Sequence, residues 1–242
     1  MDRNNFKNGQ SIERIFRDAI LSDDELVDQI KTKYSLPEDT ELASALWQGN
    51  YGKKADVVLE LGPQKYGVSL KSFDPSKVSL NQLTRTSIEN ACRRYLGEEH
   101  IAYFQERMLI KARKEGQLFP PEEQEKVKAI FQLAVRKFVK DAFALKAERA
   151  MFSIMNTETG ESVLYKISDI FRHLSYKITF TRSGNLLVGD CILIHRKGGD
   201  GNDDRWEKTD IRHPSNQFQV KLKIKPFMEL MEPYQIGVLQ TN

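Results

Sequence analysis

Asp56 and Lys71 bracket the segment Ala55-Asp56-Val57-Val58-Leu59-Glu60-Leu61-Gly62-Pro63-Gln64-Lys65-Tyr66-Gly67-Val68-Ser69-Leu70-Lys71. A carboxylate can hold a hard divalent cation, and a lysine ammonium can offset charge on an anionic group or hold a water. Two aliphatic and β-branched runs flank Gly62-Pro63-Gln64-Lys65, so the spacing predicts a β-hairpin. With the turn centred near Pro63 and Gln64, Asp56 falls opposite Lys71 and Val58 opposite Ser69. Alternation then puts Asp56, Val58, Glu60, Ser69 and Lys71 on one face, and Val57, Leu59, Leu61, Val68 and Leu70 on a core face. A half-exposed sheet with ordinary surface charges would look the same. Two details favour chemistry: aspartate is disfavoured in strands, and Lys71 ends a strand whose alternate residues are apolar.

Further polar residues could serve such a site. Glu13 lies on the first predicted helix, where a glutamate can supply another ligand or be a plain surface acid. Glu60 shares the face of Asp56 but lies about 13 Å along an extended strand, so a bend would be needed. Lys77, Asn81, Gln82 and Arg85 follow the hairpin directly. Asn and Gln read base edges and cations neutralise phosphates, although a solvated face carries the same residues. Arg196-Lys197-Gly198-Gly199-Asp200 sits between two predicted strands. Cations beside glycines approach a nucleic-acid backbone closely, and Arg196 suits a bidentate contact to guanine; a flexible polar loop is the alternative. The four histidines show no zinc spacing, and no phosphate loop, dinucleotide fingerprint or serine-hydrolase elbow is present.

Composition sets the frame. The chain has 242 residues, 40% hydrophobic and 29% charged, which is enough for one large domain over 1–242. A net charge of +3 excludes a globally basic protein but leaves a local basic groove open. Two cysteines without metal-ligand spacing argue against disulfide staples and a structural zinc. No apolar run approaches the ~20 residues that span a bilayer, and Met1-Asp2-Arg3-Asn4-Asn5 has no signal-peptide character. A cytoplasmic protein without membrane contact is expected.

The elements predicted to position these residues are mixed α/β: a central mixed sheet flanked by helices, a helical middle and a strand-rich C-terminal third. Residues 10 to 34 read as helical, with Ser11 as N-cap and a second helix starting at Ser22. Residues 36 to 54 read as a loop with a short helix from Glu41 to Trp47. After the catalytic hairpin, 55–72, comes a helical region, 80–150, with helices over Leu80–Leu96, Ile101–Lys114 and a continuous pattern from Val127 to Phe143. A strand over Phe152–Met155, a helix over Ser168–Leu174, and strands over Ile178–Thr181, Val188–His195 and Phe218–Ile224 complete it; the last three frame a recognition region, 176–226.

In order along the chain these pieces resemble the small type II restriction endonucleases of the PD-(D/E)xK superfamily that cut short GC-rich palindromes. The likeness is carried by Phe6-Lys7-Asn8 with Ile12 and Phe16, by Asp56, and by Val68-Ser69-Leu70-Lys71. It continues in Asn81-Gln82, Arg196-Lys197-Gly198-Gly199-Asp200, and Phe218-Gln219-Val220-Lys221 before Pro226. The chain departs from the family pattern at Ala55, where the motif has proline, and at Ser69, where it has an acid or, in some members, Gln or Asn. The resemblance implies a restriction-endonuclease-like core and Mg²⁺-dependent cleavage of double-stranded DNA at a short, palindromic site, leaving 5′-phosphates. Asp56, Ser69 and Lys71 would be catalytic, with Asp56, Ser69 and Glu13 or Glu60 at the metal. Lys77, Asn81, Gln82, Arg85, Arg196, Lys197, Asp200, Gln219 and Lys221 would contact DNA. A host DNA methyltransferase would be the companion, and the enzyme a monomer or homodimer. A structure-specific repair or recombination nuclease on the same core, or a DNA-binding module without catalysis, are the rival readings.

Overall fold

The computed structural model describes residues 3–47, 55–76, 80–143, 149–198 and 205–241. Lys77, Gly199 and Asp200 lie outside the described residues. In chain order the elements are α1 (Arg3–Ile20), α2 (Asp24–Tyr34), β1 (Leu42–Trp47), β2 (Val57–Leu61), β3 (Gln64–Phe73), β4 (Leu80–Thr86) and α3 (Ile88–Ala91). Then come α4 (Ile101–Ala112), α5 (Gln124–Gln132), α6 (Val135–Phe143), β5 (Ala150–Asn156), β6 (Glu161–Lys166) and α7 (Ile167–His173). The last are β7 (Ile178–Phe180), β8 (Leu186–Val188), β9 (Ile192–Arg196), β10 (Phe218–Lys223), α8 (Ile224–Met231) and β11 (Gln235–Gln240). The protein is mixed α/β, with a mixed sheet flanked by helices. No described helix is long and apolar enough to cross a membrane.

Two compact units divide the chain: Met1–Ser79 with Ala144–Leu174 and Met228–Asn242, and Leu80–Phe143 with Ser175–Phe227. The first holds a six-stranded sheet in the order β1-β2-β3-β5-β6-β11. Only β3 and β5 run parallel among these ladders. Helix α1 packs against both edge strands, β1 and β11, so the sheet curls around it. Phe16, Ile20, Leu26 and Ile30 of α1 and α2 fill that concave side against Val57, Leu59, Val68 and Met151. Each such burial removes a side chain worth about 1.5–3 kcal/mol from water. Strand β5 is buried at six consecutive positions, as expected of a strand with both faces covered, and α7 packs against β5 and β6.

The second unit holds an antiparallel sheet in the order β4-β10-β9-β8-β7. One face is apolar: Phe218, Val220, Leu222, Ile192 and Ile194 are all buried. Phe104 of α4 and Phe131 of α5 meet Phe218 edge-on at ring-centroid distances of 5.5 and 6.0 Å. The opposite face carries Gln219, Lys221, Lys223 and His195, and period two alone separates the two sets.

Several expectations are corrected. Residues 42–47, expected as a short helix inside a loop, form β1, because Leu-Ala-Ser-Ala-Leu-Trp finds backbone partners along β2 that outweigh its helix propensity. The helix expected from Leu80 begins instead as strand β4, paired along its length with β10; only after Ser87, whose hydroxyl caps Asn90 N–H, does α3 start. Asn81, Gln82 and Arg85 therefore sit on a strand. Ser11 lies inside α1, and Asp23, not Ser22, caps α2 through Leu26 N–H. The run from Val127 to Phe143 breaks between α5 and α6. The predicted strand Val188–His195 is interrupted at Gly189, whose φ of +53° and close approach to Ser175 O admit no side chain. Strands β6 and β11 and helix α8 were not anticipated.

Candidate functional site

The β2–β3 ladder pairs Val57 with Val68 and Leu61 with Gln64, so Gly62 and Pro63 alone form the turn. This is a shift of two residues from the expected register: Val58 faces Gly67, and Asp56 does not face Lys71. A two-residue shift preserves which side chains share a face, and the polar cluster survives it. Asp56 stands at the open end of the hairpin, its N–H on Val68 O at 2.9 Å. Its Oδ2 accepts the Leu70 N–H at 2.6 Å and the Ser69 hydroxyl at 3.3 Å. Lys71 Nζ donates to Leu70 O at 3.0 Å and to Ser69 Oγ at 3.5 Å. The hydroxyl thus accepts from the ammonium and donates to the carboxylate, a chain from Lys71 through Ser69 to Asp56. Parallel pairing of β3 with β5, Ser69 with Phe152 and Lys71 with Ile154, fixes the strand that carries two of the three.

Glu13 reaches the same place by a longer route. Trp47 ends β1 in register with Val57, next to Asp56, and its indole N–H donates to Glu13 Oε2. The Arg14 guanidinium lies over the Trp47 ring at 5.4 Å. Burial raises the proton affinity of the Glu13 carboxyl; the Trp47 hydrogen bond lowers it, the negative charge of Asp56 raises it, and Lys71 lowers it. Glu13 is therefore within electrostatic reach of both hairpin residues. Glu60 is elsewhere. It pairs across the ladder with Lys65 near the turn, bound to Lys65 Nζ and Ser44 Oγ at 2.6 Å each, and these contacts hold its carboxyl below the usual range. Glu60 does not join the cluster.

Among the described residues no three acidic, histidine or cysteine side chains converge as a metal-binding group. The hairpin offers the Asp56 carboxylate and the Ser69 hydroxyl, and α1 adds the Glu13 carboxylate within electrostatic reach, all hard oxygen donors. Mg²⁺ is commonly held by one or two carboxylates while keeping several waters, so this donor set fits it in type.

Of the expected DNA-reading residues, Gln82, Arg85, Gln219 and Lys221 share the polar face of the second unit, whereas Arg196, the last residue of β9, pairs with the core residue Phe218 and falls on the other side of the ladder. His195 pairs with Gln219, and Gln219 with Arg85; Lys221 pairs with Gln82. Gln219 Nε2 donates to Gln82 Oε1 at 2.6 Å. Asn81 pairs with the core residue Leu222, on the other side of the ladder from Gln82. Burial, and then the charge of Arg85, lower the proton affinity of Lys197. Arg196 is held by Asn216 and Ser215. Two participants carried no sequence signal. Trp47 fell at the end of the short helix expected from Glu41 to Trp47. His195, given no role, has a buried Nε2 without a hydrogen-bond partner among the described residues. Burial first, then Lys221, lower its pKa to about 4, against the pull of the Arg196 backbone, so the imidazole is neutral.

Compared with protein-family models and with curated proteins, the chain matches none.

Proposed function

We propose that the protein is a Mg²⁺-dependent, site-specific endonuclease that hydrolyses both strands of DNA and leaves 5′-phosphates. The observation that carries this reading is the Lys71–Ser69–Asp56 chain at the open end of the hairpin, with Glu13 beside it. Asp56 Oδ1, Glu13 and Ser69 would hold the ion. When bound, Mg²⁺ lowers the pKa of a coordinated water and offsets charge on the phosphoryl oxygens. Asp56 is oriented for this by Leu70 N–H, which fixes Oδ2 and leaves Oδ1. Lys71 has three N–H donors. Two are committed to Leu70 O and Ser69 Oγ, and the third would serve an incoming phosphate oxygen or the attacking water. Water adds to phosphorus as the P–O3′ bond breaks; one proton leaves the water and one ends on the 3′ oxygen.

On the second unit, Gln82, Gln219, Arg196 and Lys197 would read base edges, and Arg85 and Lys221 would meet phosphates or groove edges. The reading carries with it a host methyltransferase that protects the same site, a cytoplasmic location beside the DNA, and a monomer or homodimer. The test is incubation with large unmodified phage DNA in Mg²⁺ and in EDTA, with Asp56→Ala and Lys71→Ala alongside. Discrete Mg²⁺-dependent bands lost in both variants support the reading. A smear indicates a nuclease without sequence choice, and DNA left intact in Mg²⁺ and Mn²⁺ but bound with steep salt dependence indicates a non-catalytic binding module.

A further inference from the structure

Three polar side chains in the segment before β10 are almost wholly buried: His213, Ser215 and Asn216. Burying such groups costs free energy unless each is hydrogen-bonded, and here the direction of each hydrogen bond follows from its partners. His213 Nδ1 accepts the Ser215 backbone N–H at 3.1 Å, so it is the unprotonated ring nitrogen. The Ser215 hydroxyl, 2.7 Å from Nδ1, must therefore donate to it and can only accept from Arg196 Nη2 at 2.9 Å. The Asn216 amide nitrogen gives its two hydrogens to Lys208 O at 2.9 Å and Asp210 O at 2.6 Å. That fixes the amide orientation and leaves Oδ1 as acceptor for Arg196 Nε at 2.7 Å. The Nε and one Nη2 hydrogen are consumed. The second Nη2 hydrogen and both on Nη1 are bound by no described residue. Gly198, at φ +59°, adjoins Nη1: a Cβ built there would lie 3.8 Å from it, with no atom of another described residue within 4 Å.

We propose that His213, Ser215 and Asn216 are positioning residues: they clip the Arg196 guanidinium by its side edge and present its end edge, Nη1 and Nη2, to O6 and N7 of one guanine in the major groove. The inference rests on reading the second unit as the DNA-reading one, with Arg196 presented from the end of β9, where it pairs with Phe218, and not from the face that carries Gln219 and Lys221. A planar guanidinium offers parallel donors on two edges, and guanine is the base whose major-groove edge has two adjacent acceptors. An arginine serving only as a staple for the 208–216 segment would gain by engaging both edges; this one engages a single edge beside a residue without a side chain.

The test begins with selection of duplexes from a pool with a randomised core by the wild-type protein, with Ca²⁺ in place of Mg²⁺ so that strands stay intact. The selected duplex is then titrated with each guanine in turn replaced by 7-deazaguanine, which lacks the N7 acceptor. Loss of N7 at one guanine is expected to weaken wild-type binding about 5- to 100-fold and to leave Arg196→Gln binding nearly unchanged. Ser215→Ala and Asn216→Ala should lose discrimination at that guanine while binding of unrelated duplex stays near wild type. Asn216→Asp, which keeps the acceptor for Nε, should regain part of it. A role confined to holding the segment would instead lower affinity at all positions alike, and that result overturns the clip. The base-analogue series on wild-type protein does not depend on how the variants fold. No guanine sensitive to loss of N7, or a sensitivity that Arg196→Gln retains, also overturns the clip. A wild-type protein that selects no sequence overturns the endonuclease reading itself, and the clip with it.

Discussion

The hairpin draws its polar cluster from neighbouring sequence: Ser69 meets Asp56 across 13 residues and Lys71 across two. The sheet face draws its cluster from distant parts of the chain, with Gln219 bonded to Gln82 across 137 residues. The two also differ electrostatically. At the hairpin the lysine, hydroxyl and carboxylate satisfy one another and backbone groups, so the cluster is internally balanced before anything binds. On the sheet face, burial first and then a neighbouring cation lower the proton affinity of two groups: Lys221 adds to burial at His195, and Arg85 adds to burial at Lys197. One imidazole nitrogen is buried there with no partner. A balanced cluster is built for chemistry with fixed geometry, whereas a repulsive one is relieved by a polyanion.

The largest expected effect tests the balanced side. Asp56→Ala and Lys71→Ala should each lower the rate of DNA cleavage by at least about 10²–10³-fold, the usual cost of removing a preorganised charge from such a site. Binding of uncut DNA should change far less. Cleavage retained by either variant would show that the hairpin is not the reactive centre. Glu13→Gln is expected to cost less, about 10- to 100-fold in cleavage rate or in apparent Mg²⁺ affinity. Raising Mg²⁺ should recover part of the loss. Glu60→Gln is the internal control, since Glu60 belongs to the turn with Lys65 and Ser44, and cleavage should not change.

That contrast also separates what the chain disclosed from what it hid. The hairpin was legible because Gly62-Pro63 and alternating apolar residues are local signals, and an error of two in register cannot move a side chain to the other face. Glu13 was nameable as a ligand but not assignable, because Trp47, which brings it to Asp56, sits in a strand read as loop and helix. Strand β4 was misread for a similar reason: Leu80 and Leu83 have helical spacing, and the competing signal is the backbone of β10, 130 residues later in pairing order. His195, Ser215 and Asn216 are ordinary polar residues in sequence; the burial of Ser215, Asn216 and the His195 Nε2 atom exists only once β9 and β10 pair and Ser215 and Asn216 bond Arg196.

His195→Leu sharpens the repulsive side. An imidazole with a folded pKa of about 4 and an unfolded value near 6.5 stays neutral when folded and charges when unfolded. The unfolded state therefore binds more protons between these values, and the contribution to stability is fully present above about pH 6.5 and lost as pH falls toward 4. Discounted for the partial exposure of the ring, the loss is roughly 2 kcal/mol. Replacing the ring by leucine removes that acid slope and the unpartnered Nε2. The variant should be more stable than wild type by about 1 kcal/mol at neutral pH, with the gap widening as pH falls. Urea unfolding at several pH values reads both; a variant less stable at every pH would make His195 a packing residue.

Lys221→Ala carries the smallest effect and the most specific signature. Lys221 stands on β10 between Leu193 and Gln82, on the polar face. If its ammonium meets a phosphate, its loss removes about one released counterion, so the slope of log affinity against log salt should fall by about 1 for every duplex, cognate or not. A side chain that reads a base behaves oppositely: on the proposed roles, Gln82→Ala or Gln219→Ala should weaken the cognate duplex and leave the slope alone. The Gln82–Gln219 hydrogen bond couples that pair, so the double variant should cost less than the sum of the singles. An unchanged salt slope in Lys221→Ala, together with a normal response of the glutamine variants, would mean that the ammonium meets no phosphate and that its charge bears only on His195, where it adds to the effect of burial. In that case the His195 pKa, followed by NMR, should rise in Lys221→Ala.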